Sequence, residues 1–229
     1  MLTPVEWGIV LLSLQVGLAA VLFTLPIAFG LAWLLARASF PGRILLDGIV
    51  HLPLVVPPVV TGWLLLLAFA PEGPIGGLLD RLFGVTVLFR WTGAAIAAGV
   101  MALPLMVRAM RLSIEAVDRR LESAARTLAA SPWRVFRTIT LPLSLPGIIA
   151  GIVLGFARAL GEFGATITFV SNVPGETETL PLAIYSALQM PDGEAMVLRL
   201  SIISVLLSLA ALIASELIAR RAGRRMHVL

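Results

Sequence analysis

Residues 8–36 read GIVLLSLQVGLAAVLFTLPIAFGLAWLLA, and none of these 29 residues carries a charge. A helix of about 20 apolar residues is long enough to cross the hydrocarbon core of a bilayer. The run follows Glu6 rather than a basic segment, and it is about twice as long as the apolar core of a signal peptide. We therefore expect it to be retained as a transmembrane helix.

Four more apolar runs follow, at residues 49–70, 94–107, 147–170 and 196–219. The chain is 59% hydrophobic and 13% charged, whereas a soluble domain is about 45–50% apolar and 25% charged. This composition predicts an all-α integral membrane protein. We expect a single transmembrane domain over residues 1–229, with about five membrane-spanning helices.

The 17 basic residues are all Arg, and their placement predicts the orientation of the helices. Thirteen of them form three clusters: Arg37 and Arg43; Arg108, Arg111, Arg119, Arg120, Arg126, Arg134 and Arg137; and Arg220, Arg221, Arg224 and Arg225. Short loops rich in Arg stay in the cytoplasm. We therefore expect an external N-terminus and a cytoplasmic C-terminus. The net charge of +4 follows from this loop pattern, and it does not indicate a nucleic-acid partner.

Two features interrupt the simple pattern of spans. Residues 179–190 are apolar but too short to cross the membrane, so they predict a re-entrant or interfacial helix. Prolines lie inside the apolar runs, among them Pro57 and Pro58. Such residues predict kinked helices, which serve either ordinary packing or a water-filled cavity between helices.

The longest polar segment, residues 116–141, predicts a structured cytoplasmic loop. From Val117 to Leu128 apolar residues recur at helical spacing, which indicates an amphipathic helix. Ser131-Pro132 then has the composition of a helix start, and we expect a second short helix that Pro142 ends. Two short helices joined by a bend would form a knob that fits a partner's groove. A basic helix lying on anionic lipid is the alternative.

This loop resembles the signature of permeases from binding-protein-dependent ABC importers, which is Glu-Ala-Ala, three residues, Gly, nine residues, Ile-x-Leu-Pro. The present chain has the same spacing, with Ser in place of Glu and Ala in place of Gly. Glu122, one position earlier, offers a replacement charge, and Ala129 predicts a bend without left-handed backbone. By this resemblance the residues coupling the chain to an ATPase are Glu122, Ser123, Ala124, Ala125, Arg126, Ala129, Ile139, Leu141 and Pro142.

The resemblance extends over nearly the whole chain and, within that family, to the permeases of molybdate import. Residues 51–60 (HLPLVVPPVV) and 160–176 (LGEFGATITFVSNVPGE) carry it. It implies a MetI-like ABC importer permease fold and a homodimer in the bacterial inner membrane. It also implies two cytoplasmic ATPase subunits, which bind ATP and Mg²⁺, and a periplasmic oxyanion-binding protein. Molybdate would pass from periplasm to cytoplasm by alternating access; sulfate and tungstate are the alternative substrates.

Arg158 and Glu162 are ionisable residues within an apolar run, and their i, i+4 spacing places them on one helix face. They either neutralise each other or give a dianion pathway its positive potential. The candidates for the pathway and its gate are Pro57, Pro58, Arg158, Glu162, Phe163, Gly164 and Thr166. His51, at the inner end of the second run, is more typical of a hydrogen-bonded interface residue than of a ligand.

Catalytic and metal-binding motifs are missing from the sequence. The chain has no Cys, two His and no Lys, so it lacks a zinc motif and the Gly-Lys-Ser/Thr of a phosphate-binding loop. We expect no cofactor on this chain and a separate subunit that hydrolyses ATP. An ion-coupled secondary transporter is a second hypothesis, favoured by Arg158 and Glu162, but it leaves the amphipathic loop unexplained. An intramembrane hydrolase would need a paired nucleophile that the sequence does not offer.

Overall fold

The computed structural model describes residues 2–226, with side chains described through Ala214 and at Leu217. The C-terminal arginine cluster therefore lies outside the described side chains. Within this part of the chain every regular element is helical, as the sequence predicts. The elements are α1 (Pro4–Arg37), α2 (Arg43–Val55), α3 (Pro58–Phe69), α4 (Gly76–Phe83), α5 (Trp91–Glu115), α6 (Arg119–Thr127), α7 (Pro132–Val135), a π-helical segment (Phe136–Thr140), α8 (Leu141–Leu160), α9 (Gly164–Val170), α10 (Leu180–Ala187) and α11 (Glu194–Met226).

Four helical stretches in the described part of the chain are long and apolar enough to span a membrane: Pro4–Arg37, Trp91–Glu115, Pro132–Leu160 and Glu194–Ala214. The pair α2 and α3, bent by 114° where the two helices meet, has the composition of a fifth span that is broken or of a re-entrant loop, which gives four to five spans. The expected number of about five spans is therefore confirmed.

Helix α5 lies at the centre of the bundle, between α1 and α8. Small residues let the backbones approach closely: Gly99 of α5 faces Thr24 of α1, and Gly155 of α8 faces Met106 of α5. A Cβ at either glycine would collide with that neighbour. The buried apolar residues of α5 that form the core are Ala94, Ala95, Ala97, Ala98, Met101, Ala102, Met106, Val107, Met110 and Ile114.

The second cytoplasmic helix does not end at Pro142, and that prediction is wrong. Helical backbone continues from Pro132 to Leu160. The N–H of Leu141 bonds to the carbonyl of Phe136, five residues earlier, in a π-helical turn. Pro142 then lies in the first turn of α8, where the missing N–H is tolerated. A proline just after a wider π turn therefore does not break the helix.

The run 147–170 is not one helix, contrary to the prediction. Helix α8 ends at Leu160, and α9 begins at Gly164 after a three-residue break. Helix α9 then packs against α3. Gly62 of α3 approaches the backbone of Ala165, and Gly164 approaches Pro58, so closely that neither glycine has room for a Cβ. Two broken spans therefore meet at their breaks.

The short helix expected within residues 179–190 is α10, and it packs against α1 and α11. Its first N–H, that of Leu180, donates to the buried Ser13 Oγ of α1 at 2.7 Å. Leu180 and Ala183 belong to an apolar cluster with residues of α1 and α11. This hydrogen bond and this cluster fix the position of α10 in the bundle.

Candidate coupling elbow and translocation path

The elbow comprises α6, the turn after it and the start of α7. Helix α6 ends in a Schellman motif, in which Ala130 N donates to Ala125 O at 3.1 Å and Ala129 N donates to Arg126 O at 3.0 Å. Ala129 has a φ of 57°, so the expectation that this bend avoids left-handed backbone is wrong. The position where the resembled permeases have Gly requires that conformation, and here Ala adopts it at a steric cost.

Glu122 faces the interior of the protein rather than solvent. It is 8% exposed, and its Oε1 lies 2.8 Å from Arg37 Nη2, at the end of α1. Arg37 Nη1 donates to Glu122 Oε2 at 3.3 Å, and Thr140 Oγ1 donates to Oε1 at 2.6 Å. A single carboxylate thus joins α6, α1 and the π-helical segment. Charge-assisted hydrogen bonds of this kind are among the strongest that side chains make.

Three large apolar side chains are exposed on the outer surface of the elbow, among exposed arginines such as Arg120 and Arg126. Leu121, Leu128 and Trp133 are 49%, 84% and 64% exposed. The remaining coupling candidates divide by exposure: Ser123, Ala124, Arg126 and Ala129 are exposed, Ala125 is half-buried, Ile139 and Leu141 are half-buried, and Pro142 is exposed. Large apolar side chains exposed together on a loop are typical of a docking surface. A basic helix on lipid would also expose them, but would not require the fixed elbow.

A polar cavity of ≈ 410 Å³ separates the elbow from the end of α1. Trp33, Arg37, Glu122 and Phe136 are among its lining residues. Arg37 lies 5.8 Å from the centroid of the Trp33 ring, and its Nε is buried without a hydrogen-bond partner among the described atoms. The elbow and the π-helical segment after it are therefore tied to α1 by this ion pair and by aromatic contacts of Phe136, whose ring centroid lies 5.1 Å from that of Trp33 and 6.2 Å from that of Phe29.

The pathway candidates lie together at the two breaks. Pro57 and Pro58 start α3 and are exposed, Gly164 starts α9, and Thr166 is buried on α9. Phe163 lies in the break after α8, with its ring 5.0 Å from that of Tyr185 on α10. The structure thus brings together sequence segments more than a hundred residues apart at one level of the bundle.

Arg158 and Glu162 form an ion pair, with Nη2 and Oε2 2.6 Å apart. Glu162 is 3% exposed, and its Oε1 accepts from the N–H of Ala165 at 2.8 Å. The carboxylate therefore caps the start of α9, where it satisfies a free N–H group. Arg158 has a 26% exposed side chain, so it is more accessible than its buried partner. The neutralising and the pathway interpretations both remain compatible with this geometry.

Sequence reasoning missed Arg37 and Thr140 as functional candidates. In the sequence Arg37 indicates only the orientation of the first helix, as a member of an arginine cluster. Its position as the last residue of α1 places it at the membrane surface beside the loop. Thr140 stands between two signature residues and gave no signal of its own. Among the described residues no group of three or more His, Cys, Asp or Glu is arranged to hold a metal ion.

Comparison with known proteins gives a consistent picture. A family model described as "Binding-protein-dependent transport system inner membrane component" matches residues 14–224. The chain is 60% identical over 227 residues to the molybdenum transport system permease protein ModB of Escherichia coli (strain K12), covering 97% of this chain and 99% of that protein. It is 38% identical to the sulfate transport system permease protein CysT of the same strain, covering 86% of this chain and 72% of CysT.

Among solved structures, an inward-facing MetNI methionine ABC transporter has a chain similar to this one with a TM-score of 0.73 and 18% sequence identity. The match covers 97% of the present chain and 99% of that one. At this level of identity the similarity shows the fold, and the fold is the MetI-like one expected from the sequence.

Proposed function

This chain belongs to the family of binding-protein-dependent transport system inner membrane components, and we propose that it is the membrane subunit through which an ABC importer moves molybdate. The substrate assignment rests on the 60% identity to a molybdenum permease over almost the full length of both chains. Sulfate stays the alternative, since the 38% identity to a sulfate permease concerns a dianion of the same shape.

The proposed assembly has two copies of this chain, two cytoplasmic ATPase subunits and a periplasmic binding protein. The chain contributes no phosphate-binding loop, so ATP and Mg²⁺ would bind on the ATPase subunits. The exposed Leu121, Leu128 and Trp133 support docking of an ATPase on the elbow. The arginine clusters support a cytoplasmic elbow and C-terminus with an external N-terminus.

Glu122 has a specific part in this proposal. Its side chain is turned inward to Arg37 and Thr140, so it holds the elbow to the bundle while neighbouring exposed residues contact the ATPase. A push on the elbow then reaches α1 through the ion pair and α8 through the continuous helix Pro132–Leu160. Rigid helices with a bistable joint are the usual means by which such a motion crosses a protein.

The breaks near Pro58 and Gly164 would be where the path opens and closes. Freed backbone groups are tolerated at membrane depth only where protein or water satisfies them. ATP-driven closure of the ATPases would tilt the broken spans outward-open, and hydrolysis would reset them. Arg158 supplies positive potential there, while Glu162 limits how tightly a dianion is held.

The test measures uptake of labelled molybdate by vesicles whose membrane holds this chain and the ATPase. Binding protein loaded with molybdate is added outside. We expect uptake to require ATP inside the vesicles. Ala125→Glu, which places a charge at the bend of the elbow, should abolish both uptake and co-purification of the ATPase. Ala130→Ser, a small change in the same turn, is the matched control.

Two results would contradict the proposal. Uptake that proceeds without ATP but responds to a proton or sodium gradient would identify an ion-coupled transporter. ATP-dependent uptake of sulfate with no molybdate uptake would move the substrate assignment to sulfate. Equal competition by unlabelled tungstate would place tungstate among the substrates.

A further inference from the structure

A row of ionisable side chains lies where α2 packs against α5, away from both the elbow and the Arg158–Glu162 pair. On each helix the residues are spaced so that they share one face. The row consists of Arg43, Asp47 and His51 on α2 and Arg108, Arg111 and Glu115 on α5. The row lies at the start of α2 and the end of α5, which the arginine clusters place towards the cytoplasm.

The ion pairs between the described side chains of the row leave one arginine without a carboxylate partner. Arg111 Nη1 lies 2.9 Å from Asp47 Oδ1, and Arg111 Nε lies 2.9 Å from Glu115 Oε1. Glu115 Oε1 is also 3.7 Å from Arg43 Nη2. Arg108 takes part in none of the ion pairs formed between described side chains. Three arginines thus face two carboxylates, and the surplus positive charge belongs to Arg108.

An open cavity of ≈ 300 Å³ lies beside this surplus charge. Its lining residues are Asp47, His51, Arg108, Arg111, Leu112 and Glu115, so the two carboxylates that hold Arg111 also border the cavity. His51 Nδ1 is 2.8 Å from the carbonyl of Asp47, which leaves Nε2 as the free ring nitrogen. Arg108 is about 10 Å along α5 from Glu115, at the helix end. Arg108 is exposed in the single chain, so its charge is solvated there by water or by an anion in this cavity.

We propose that the cavity is a transit site for a tetrahedral oxyanion, with Arg108 as its principal ligand. The inference rests on the proposed function, which supplies molybdate as that oxyanion. A guanidinium donates two parallel hydrogen bonds to such an ion. Arg111 is held by two carboxylates, so it adds little attraction. One free arginine therefore attracts the anion, and the neighbouring carboxylates help release it.

The site lies on the side of the α2–α3 break that leads to the elbow. His51 precedes the break at Val56–Pro57 by one to two turns of helix. An anion that passes the breaks would therefore meet Arg108 before it reaches the cytoplasm. A phosphate of an anionic lipid has the same chemistry, so the experiment has to separate a free oxyanion from a lipid headgroup.

The test measures carbethoxylation of His51 by diethyl pyrocarbonate, followed by mass spectrometry of its peptide. The permease–ATPase complex is placed in nanodiscs of phosphatidylcholine, with or without phosphatidylglycerol, and sodium molybdate is titrated. The chain has two histidines, so His227 is an internal control for reagent activity. We expect molybdate to slow the reaction of His51 about tenfold at ten times its dissociation constant.

Arg108→Gln should raise the molybdate concentration needed for this protection about tenfold, because one charge-assisted contact is lost. Arg108→Lys should retain part of the affinity. Arg81→Gln, on α4, should behave as wild type. Protection that is absent in wild type, or unchanged in Arg108→Gln, would overturn the site. Protection produced by phosphatidylglycerol without molybdate would instead assign the cavity to lipid.

The same preparations are assayed for ATP-driven molybdate uptake. Absence of wild-type uptake would contradict the proposed function, while the protection data would still decide on the site. If wild-type uptake is normal but Arg108→Gln does not change the protection of His51, the proposed site is wrong and the proposed function stands. In the expected case Arg108→Gln lowers the uptake rate several-fold, and the concentration of loaded binding protein at half-maximal rate does not change.

Discussion

Each end of α1 is held by a buried carboxylate that pairs with an arginine, but the pairs join α1 to different kinds of structure. At the N-terminal end Glu6, 1% exposed, accepts from Arg199 of α11 at 2.7 and 2.8 Å. Its other oxygen accepts from the N–H of Thr3 at 2.7 Å, and Thr3 Oγ1 accepts from the N–H of Glu6 in a capping box. Every oxygen of this carboxylate has a partner.

At the C-terminal end Arg37 reaches the elbow through Glu122. This pair borders a polar cavity and leaves Arg37 Nε without a partner among the described atoms. The nearby turn contains Ala129 in a left-handed conformation. The N-terminal pair, in contrast, lies beside the apolar cluster of Ile9, Val10, Leu180, Ala183 and Leu200.

Similar ion pairs therefore have different roles, depending on the residues and cavities around them. At the N-terminal end the buried Glu6 lies beside packed apolar side chains, which deform little, while its partner Arg199 has a 39% exposed side chain. At the C-terminal end the pair borders a cavity and a turn with left-handed backbone, which gives it room to shift beside the aromatic rings of Trp33 and Phe136. We infer that the N-terminal end of α1 is an anchor and that the C-terminal end transmits motion from the elbow. The following substitutions separate these roles.

The largest effect is expected from Arg37→Glu, which places two carboxylates against each other in a mostly buried site. The loss of two charge-assisted bonds should lower molybdate uptake about a hundredfold, since each is worth about 1.5 kcal/mol or more. Vesicle uptake per folded complex measures this. The double substitution Arg37→Glu with Glu122→Arg should regain much of the rate. Full activity of the single variant would show that the pair transmits nothing.

Arg199→Ala should mainly reduce stability, because Glu6 would stay buried without its partner. We expect a loss of about 2–3 kcal/mol, within the range for hydrogen bonds to a charged group, measured by thermal unfolding of the detergent-solubilised protein. Arg90→Ala, at an exposed position before α5, is the control. Uptake per folded molecule should remain near the wild-type value. A large coupling defect without a stability change would reverse the assignment of the two ends.

Ser13→Ala removes the acceptor for the N–H of Leu180, at a site where Ser13 is 2% exposed. A buried N–H left without a partner should cost about 2 kcal/mol. The same unfolding assay detects it. Ser123→Ala, which removes an exposed hydroxyl bonded to Arg119 O, should change stability by less than about 0.5 kcal/mol. Equal losses of stability at the two serines would show that the Ser13 hydrogen bond does not fix the position of α10.

The smallest effect is expected from Ala129→Gly, which relieves the left-handed strain in the elbow turn. The gain should reach about 1 kcal/mol at most, because glycine also adds freedom to the unfolded chain. Ala130→Gly, next in the chain and without positive φ, should lose about 0.5 kcal/mol instead. If both substitutions destabilised equally, Ala129 would not be strained.

Local sequence patterns predicted much of the fold. Apolar runs of sufficient length indicated the spans, and the Ser131-Pro132 start was confirmed, since Ser131 Oγ accepts from Arg134 N at 3.3 Å. The arginine-rich loop and its signature spacing indicated the family. These features depend on residues near one another in the chain, so a single sequence contains them.

The features that escaped prediction depend on distant contacts. Glu122 and Arg37 are 85 residues apart, and nothing near either residue indicates the other. The break after Leu160 was hidden because the run remains apolar on both sides; Gly161 ends α8, Glu162 caps α9, and Gly164 packs on Pro58. Ala129 misled for another reason: the Schellman hydrogen bonds outweigh the steric cost of a left-handed alanine.

The most direct measurement is the number of molybdate ions imported per ATP hydrolysed, in vesicles with wild type, Arg37→Glu and Arg199→Ala. We predict that import requires ATP, that Arg37→Glu lowers the ratio sharply while the ATPase stays bound, and that Arg199→Ala leaves the ratio unchanged. Import without ATP, or a ratio that falls in Arg199→Ala but not in Arg37→Glu, would contradict the proposed roles of this permease and of the two ends of α1.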